Sequence, residues 1–320
     1  FRNVTGVQTC ALPICAGRKV VVLERAWSGR HASGASAAGV RTLGRAPVEL
    51  AISLEAQRLW NHIADLVGDD CGYHMNGQVR IAESEADMEK LEQRAALTRG
   101  LGYTHEELID RNALRRLVPK LSHHCLGALW VHEDGAADPH RTLYAFRRAA
   151  EAAGVVIREH CGVDGIERHA NEYMVGMGGA HGETFRAPVI VNCAGAWAGR
   201  IAAMVGDDIP LRAKASMMIV TERVEPVLSP VLGVAGRPLS FKQSDQGTLL
   251  IGGGRQGIPN IDDETSTVRL EEAAHSAQTV CELFPSVKDL RIVRVWAGLE
   301  AATEDGEPII GASPNAPGVF

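Results

Sequence analysis

KVVVLERAWSGRHASGASAAGVR, residues 19–41, joins a short apolar strand to a loop made almost wholly of small residues. Val20, Val21, Val22 and Leu23 run between Lys19 and Glu24, the composition of a strand buried on both faces with charged ends. A carboxylate that closes such a strand is placed to hydrogen-bond the ribose hydroxyls of a dinucleotide. The same pattern also describes a plain solvated strand end. The Ser/Gly/Ala loop at 33–39 lets backbone come close to a phosphate or a flat ring, because no long side chain intervenes. The Gly-rich turn that accompanies such an acid lies about 20 residues upstream. Only Gly6 and Gly17 precede Glu24, so no GxGxxG leads into it.

Outward from this stretch the pattern alternates. Residues 47–67 predict a helix with Pro47 in its first turn and Ile52, Ala56, Leu59, Ile63 and Leu66 at helical spacing. Residues 77–83 alternate as a strand, and Ser84 with Asp87 opens a helix reaching about Arg99. Asp138-Pro139 opens another helix, with Leu143, Phe146 and Ala150 on one face and Gly154 as its stop. Residues 155–158, 162–168 and 188–193 read as strands, and 196–205 as a helix. Residues 213–253 turn to strands with Gly, Pro and Asp connections; 267–284 is an amphipathic helix and 290–297 a final strand. No repeat or low-complexity linker interrupts this order. The mixture predicts an α/β part with a parallel sheet, interleaved with an α+β part built on an antiparallel sheet.

At 320 residues the chain is long enough for two domains. Apolar residues at 45% and charged residues at 22% are ordinary for a globular protein. A net charge of -6 without a basic stripe argues against nucleic acid as a partner. The odd set of seven cysteines, with no CxxC, reads as thiols kept reduced in a cytoplasmic location.

Four blocks carry a resemblance. Residues 19–41, ADPHRTLYAFRRAAEAAGVVI at 137–157, VIVNCAGAWAGRIA at 189–202 and WAGLEAATEDGEPIIG at 296–311 occur in order. Together they resemble the D-amino-acid oxidase-like family of FAD-dependent oxidoreductases. That family includes glycine and sarcosine oxidases and the β-subunits of heteromeric sarcosine, opine and proline dehydrogenases. The resemblance implies a discontinuous, incomplete Rossmann-like FAD domain at 15–45, 135–205 and 298–320, and a substrate domain at 46–134 and 206–297. A different resemblance covers VTGVQTCALPI, residues 4–14, which matches the translated read-through of a sequencing-library adapter. Residues 1–14 are therefore expected to be an artefact standing where the family has its first strand and fingerprint. The family's C-terminal glycine-rich segment lies past Phe320, so the 320 residues are expected to be an inactive fragment of a working flavoenzyme.

The resemblance assigns residues to FAD. Glu24 would bind the adenosine ribose with Arg25 beside it. Ser33, Gly34, Ala38, Gly39 and Val40 would line the pyrophosphate and flavin. Val163 would hold the adenine through its backbone, and Ala194 and Gly195 would pass close to the cofactor. Without the resemblance, Val163 is a strand residue and Ala194-Gly195 a strand-to-helix turn. The implied chemistry is oxidation of a small amino acid or N-alkyl amino acid, with a hydride passing to flavin N5. Electrons would continue to oxygen or to an accepting partner. The alternative is a component of a heteromeric amine, proline or opine dehydrogenase that binds FAD or partners without its own turnover.

Candidate catalytic residues are Glu300, Lys242 and Arg41. Many family members carry an Arg after WAGL that clamps a substrate carboxylate; Glu300 stands here, and suits a substrate ammonium or a structural salt bridge. Lys242 can hold a substrate carboxylate, with Ser240 and Gln243 nearby, or be a solvated hairpin charge. Glu300 and Lys242 are expected to face one cavity, with Lys242 or Arg41 within salt-bridge reach of Glu300 or of bound substrate. Arg41 otherwise reads as an interface ion pair. The oxygen-activating Lys of monomeric sarcosine oxidases matches Leu250, which leaves room for a dehydrogenase. Three other patterns carry little: His123-His124-Cys125 has no second cluster at zinc spacing, Ser216 no GxSxG, and Gly252-Gly253-Gly254 no helix after it, so no metal is expected.

Overall fold

The computed structural model describes residues 17–177 and 182–320. The expectation for residues 1–14 lies outside them. The first half contains β1 (Val21–Leu23), β2 (Gly39–Val40), α1 (Leu50–Asn61), α2 (Ile63–Val67), β3 (Gln78–Ala82) and α3 (Glu85–Gly100). It continues with β4 (Glu107–Asp110), α4 (Arg111–Leu117), β5 (Gly127–Val131), β6 (Gly135–Ala136), α5 (Pro139–Ala152) and β7 (Val156–Arg158). The second half contains β8 (Val163–His169), β9 (Glu172–Met177), β10 (Thr184–Ala187), α6 (Ala198–Ala203) and β11 (Arg212–Arg223). After it come β12 (Val231–Val234), β13 (Ser240–Gln243), β14 (Thr248–Gly252), β15 (Ile258–Asn260), β16 (Thr265–Thr267), α7 (Leu270–Leu283) and β17 (Ile292–Ala302).

The deciding stretch forms the expected strand but is not buried on both faces: Val21 is exposed and Val20, Val22 and Leu23 are half-buried, because β7 is its one paired neighbour among the described residues. β1 pairs in parallel with β7, Val21 opposite Val156 and Leu23 opposite Arg158. The right-hand crossover between them needs a helix, and α5 supplies its last part. Asp138 caps α5 by accepting the Arg141 N–H, Pro139 stands in the first turn, and Gly154 at φ +93° ends it. Ala145, Phe146 and Ala150 of α5 bury against Ile63, Val67 and Val155, with Val20, Val22 and Ile157 packed on them. Ser84 caps α3, accepting from the Asp87 N–H as the sequence indicates.

The largest sheet has eight strands in the order β17-β11-β14-β13-β12-β3-β5-β4. All its pairs are antiparallel except β12 with β3. Its two faces differ. Val79, Ile219, Leu232, Phe241, Leu249 and Ile251 form one buried face, packed with Val280 and Leu283 of α7. Phe241 meets Phe284 with ring centroids 5.1 Å apart. The other face carries Glu300, Trp296, Ser216, Met218, Leu250 and Lys242 in register. That face looks towards the small-residue loop. β17 runs as one strand through position 298, where the domain boundary is expected.

Two local expectations need correction. The helix predicted over 47–67 breaks at His62 (φ -120°, ψ 27°) and buries Leu50, Ser53, Gln57, Ile63 and Val67. Ile52, Leu59 and Leu66 lie outside instead. Gln57 decides the face: its side-chain N–H donates to Glu133 O and Tyr73 Oη, both at 2.6 Å, and draws this polar residue inward. The strand expected at 188–193 is reduced to one parallel bridge, Ile190 with Val319. Its N–H groups are taken by Gly318 O and Phe320 O, so the segment adds no ladder to β1 and β7 among the described residues.

Candidate functional site

The loop from Trp27 to Ala38 is held by its own turns and by three outside anchors. Arg30 N–H donates to Trp27 O, and Gly34 and Ala35 N–H both donate to His31 O. Gly34 is required here, since a Cβ on it would stand 2.0 Å from Gly29 O. Ala38 takes a left-handed φ of 50°, capped by Ser36 Oγ, which accepts its N–H. From there Gly39 and Val40 pair with Ala136 and Gly135. The anchors are Glu159, which accepts the Ser28 N–H, Trp296, whose ring N–H donates to Ala35 O at 3.1 Å, and Glu264.

Glu264 stands at the end of the β15–β16 turn with φ +56°. One carboxylate oxygen pairs with Arg25 Nε at 3.0 Å; the other lies 3.4 Å from His31 Nε2 and 3.8 Å from Arg30 Nε. Trp197 sits behind this cluster, its ring 4.6 Å from that of His31 and 4.8 Å from the Arg25 guanidinium. Burial lowers the His31 pKa, against the opposing pull of Glu264. Beneath lies a cavity of about 140 Å³ bordered by Arg30, His31, Ala35, Glu264, Ser266 and Gly298.

The residues expected at the cofactor converge on this region. Glu24 is half-buried, its Oε1 accepting the Ala26 N–H at 2.8 Å, and burial raises its carboxyl above the usual range. Arg25 packs beside Gly162, next to Val163. Val163 and Leu23 share one apolar cluster with Ile190 and Ile201. Ala194 and Gly195 form the turn into Trp197, which Arg25 covers. Ser33, Gly34 and Ala38 lie in the loop, and Gly39 and Val40 form β2 directly after it.

The three charged candidates are less unified. Lys242 Nζ donates to Ala137 O at 3.3 Å, and Ala137 N–H donates to Ala38 O at 2.9 Å, which ties the lysine to the loop. Burial pulls its ammonium down to about 8, against the pull of Asp138 and Asp245. Glu300 accepts a hydrogen bond from Ser216 Oγ, which also accepts from Gln256 Nε2 at 3.3 Å. Glu300 is opposite Lys214, whereas Lys242 aligns through Leu250 with Val220, six residues along β11. Six residues and three strand spacings separate them by roughly 25 Å on the same face. The expectation that Lys242 lies within salt-bridge reach of Glu300 is therefore corrected. The sequence could not show it, because both positions share a face and only the strand order sets their distance.

Arg41 follows the loop, half-buried, beside a group the sequence reading missed. Asp134 is fully buried. Its Oδ1 accepts the Thr42 N–H at 2.7 Å and the Thr42 hydroxyl at 2.8 Å, and its Oδ2 accepts the Leu43 N–H at 2.9 Å. Burial pushes its carboxyl up to about 6, opposed by these donors and by the Arg41 charge. Glu264 and Trp197 were likewise missed. An acid within the run LWVHEDGAA was the available signal for Asp134; nothing local marks Glu264.

The other sequence patterns are structural. His124 bonds Ser122 and Glu83, each at 2.8 Å, and Ser216 serves Glu300. Residues 252–257 have GxGxxG spacing, but a strand follows them, Ile258–Asn260, and not a helix. No helix among the described residues is long and apolar enough to cross a membrane.

The residues present fit the adenosine-and-flavin side of a dinucleotide site. Gly39 and Gly195 have open space where a Cβ would stand, and Gly195 at φ +56° turns backbone towards it. Small side chains, a left-handed Ala38 and a half-buried carboxylate at the strand end are the residue types that a flat ring and a ribose require.

Comparison with known proteins agrees. A family model described as FAD dependent oxidoreductase matches residues 5–320. An opine oxidase component from Agrobacterium tumefaciens is 29% identical over 322 residues, covering 95% of this chain and 81% of that protein. The beta chain of sarcosine oxidase from Rhodobacter capsulatus is 24% identical over 308 residues, covering 95% and 73%. The crystal structure of L-proline dehydrogenase from P. horikoshii superposes with a TM-score of 0.90 at 22% identity, covering 99% of this chain and 84% of that one.

Proposed function

This chain belongs to the family of FAD dependent oxidoreductases, and from that premise we propose that it oxidises a small amino acid or N-alkyl amino acid. FAD, when bound, supplies the acceptor for the hydride that leaves the carbon bearing the amine. Glu24 and Arg25 would hold its adenosine ribose, with Val163 at the adenine. Ser33, Gly34, Ala38, Gly39 and Val40 would carry the pyrophosphate and ring, with Ala194 and Gly195 alongside.

The observation that carries the reading is the link from Lys242 through Ala137 to Ala38. It sets an ammonium with a pKa of about 8 beside the loop that would receive the flavin. Below that pH Lys242 is a cation able to hold a substrate carboxylate; above it the neutral amine accepts a proton from the substrate ammonium. Glu300, at the far end of the same face, would act on a different part of a longer substrate or on the approach to the site. Arg41 would supply a second positive charge near the loop exit. Leu250, directly across from Lys242, offers no charge.

The names of the similar proteins favour one second reading. The opine oxidase and sarcosine oxidase relatives are each named as one component of an oxidase with several. On that reading this chain is an FAD-binding or partner-binding component of a heteromeric amine, proline or opine dehydrogenase, without turnover of its own. The test is anaerobic mixing of the FAD-loaded protein with glycine, sarcosine, proline and opines, followed at the oxidised flavin absorbance. Bleaching by any of them supports the amino-acid reading. If dithionite bleaches the flavin and none of them does, the reading fails. Stable copurification with other chains together with that failure selects the second.

A further inference from the structure

We propose that the β15–β16 hairpin is a strap across the cofactor loop, with Glu264 as the positioning residue that holds that loop closed for FAD. The cofactor part rests on the assignment of residues 33–39 to FAD.

The argument starts from the loop itself. Residues 27–38 are short turns rich in Gly, Ala and Ser, with few side chains to pack. Such a segment has many accessible conformations, and its closed form depends on outside contacts. The hairpin provides them through Glu264 and is itself anchored at two further places. Glu264 faces Arg25 before the first turn and Arg30 and His31 at its end. Ile261 O accepts the Trp197 ring N–H at 2.9 Å, and Asp262 pairs with Arg200. Ser266 Oγ donates to Ala297 O at 2.6 Å on β17. The hairpin thus ties the cofactor loop, the 194–203 turn and helix, and the large sheet to one another.

Glu264 is the centre of this arrangement. It keeps only 24% side-chain exposure while facing two guanidiniums and an imidazole. It is held there by a left-handed backbone, which a non-glycine residue adopts only when the surroundings impose it. Without its charge, Arg25 and Arg30 repel one another across the loop, and the Arg25 stack on Trp197 loses its support.

The test compares the wild-type protein with Glu264→Gln, Glu264→Asp and Asp263→Asn. Amide hydrogen exchange is read over residues 25–36 and over the strands of the large sheet. FAD release is read by recovery of flavin fluorescence on dilution. Removing the charge should speed exchange at 25–36 and FAD release, each roughly fivefold to tenfold. Sheet amides and the Asp263→Asn control should keep wild-type values, and Glu264→Asp should recover part of the loss. Unchanged exchange at 25–36 overturns the strap. Faster exchange with unchanged FAD release overturns the cofactor role. Slower release from Glu264→Gln also overturns it, because it would show Glu264 competing with cofactor phosphate for Arg25 and Arg30. A wild-type protein that takes up no FAD refutes the cofactor assignment, while the exchange data still judge the strap. If Glu264→Gln fails to fold, Arg25→Gln removes the same pair from the other side and is read by exchange at residues 25–36 alone, with FAD release then read on Glu264→Asp.

Discussion

Replacing Asp134 by alanine should destabilise the protein by about 1–3 kcal/mol more than replacing it by asparagine. The carboxylate is fully buried and accepts two backbone N–H groups and one hydroxyl. Alanine leaves the Thr42 and Leu43 N–H groups without partners, and each buried orphan costs about 1–3 kcal/mol. Against this stands relief of the buried charge: raising an aspartate from 3.8 to about 6 corresponds to about 3 kcal/mol. The Thr42 hydroxyl can rotate to another acceptor and adds less. Asparagine relieves the same charge, and its carbonyl can keep both Thr42 donors at the Oδ1 position so that only Leu43 faces an NH2. Urea unfolding at pH 7 followed by tryptophan fluorescence measures both. A pH series adds an independent sign. Between about pH 4 and 6 the folded state holds a proton that the unfolded state has released, so this group makes wild-type stability fall as pH rises. Asp134→Ala should lack that fall. An alanine variant as stable as the asparagine variant, or more stable, would refute the reasoning.

Two further predictions follow from other buried charges. Lys242→Met should stabilise the protein at pH 7 by about 1–3 kcal/mol, since the folded ammonium titrates near 8 and the unfolded one near 10.5. Between those values the unfolded chain holds more protons, so wild-type stability rises with pH and the advantage of Met should vanish by about pH 10.5 in a thermal-shift series. Glu106 has a fully buried side chain paired twice with Arg94, at 2.8 and 3.0 Å, and bonded to Gly44 N–H and Thr98 Oγ1. Burial raises its carboxyl, but these partners outweigh it and hold it below the usual range, so its contribution is present above about pH 4.5 and lost as pH falls. Glu106→Gln should cost about 3–5 kcal/mol in urea unfolding at pH 7 and flatten the acid limb; a loss under about 1 kcal/mol would count against it.

What the sequence shows here depends on how far a signal has to reach. β1, the cap of α3 and both ends of α5 were legible because each is set by neighbours within a few positions: a valine run, Ser84 with Asp87, Asp138-Pro139 and Gly154. The face of α1 was not, since Gln57 is turned inward by Glu133 O, distant in sequence. The strand at 188–193 had the right composition and the wrong partners, because Gly318 and Phe320 take its backbone groups. In the site, Glu24 and the 33–39 loop announce themselves by type and spacing. Asp134 acts on Thr42 and Leu43, and Glu264 acts on Arg25, Arg30 and His31, only after the chain has folded. The separation of Glu300 from Lys242 is likewise a property of strand order.

The single parallel pair in the large sheet has a consequence during synthesis. β3 has β5 on one edge and β12 on the other, and four of its five residues are buried. β5 emerges soon after β3, but β12 follows about 150 residues later. At about 5–20 residues per second, the second edge of β3 waits roughly 8–30 s for its partner. During that time Val79 and Ile81 lie beside a row of unpaired backbone donors and acceptors, the template on which strands of other chains add. On the ribosome, the nascent first half therefore needs a holding chaperone or low local crowding. Slower translation before Val231 should lower the soluble yield in proportion to that wait.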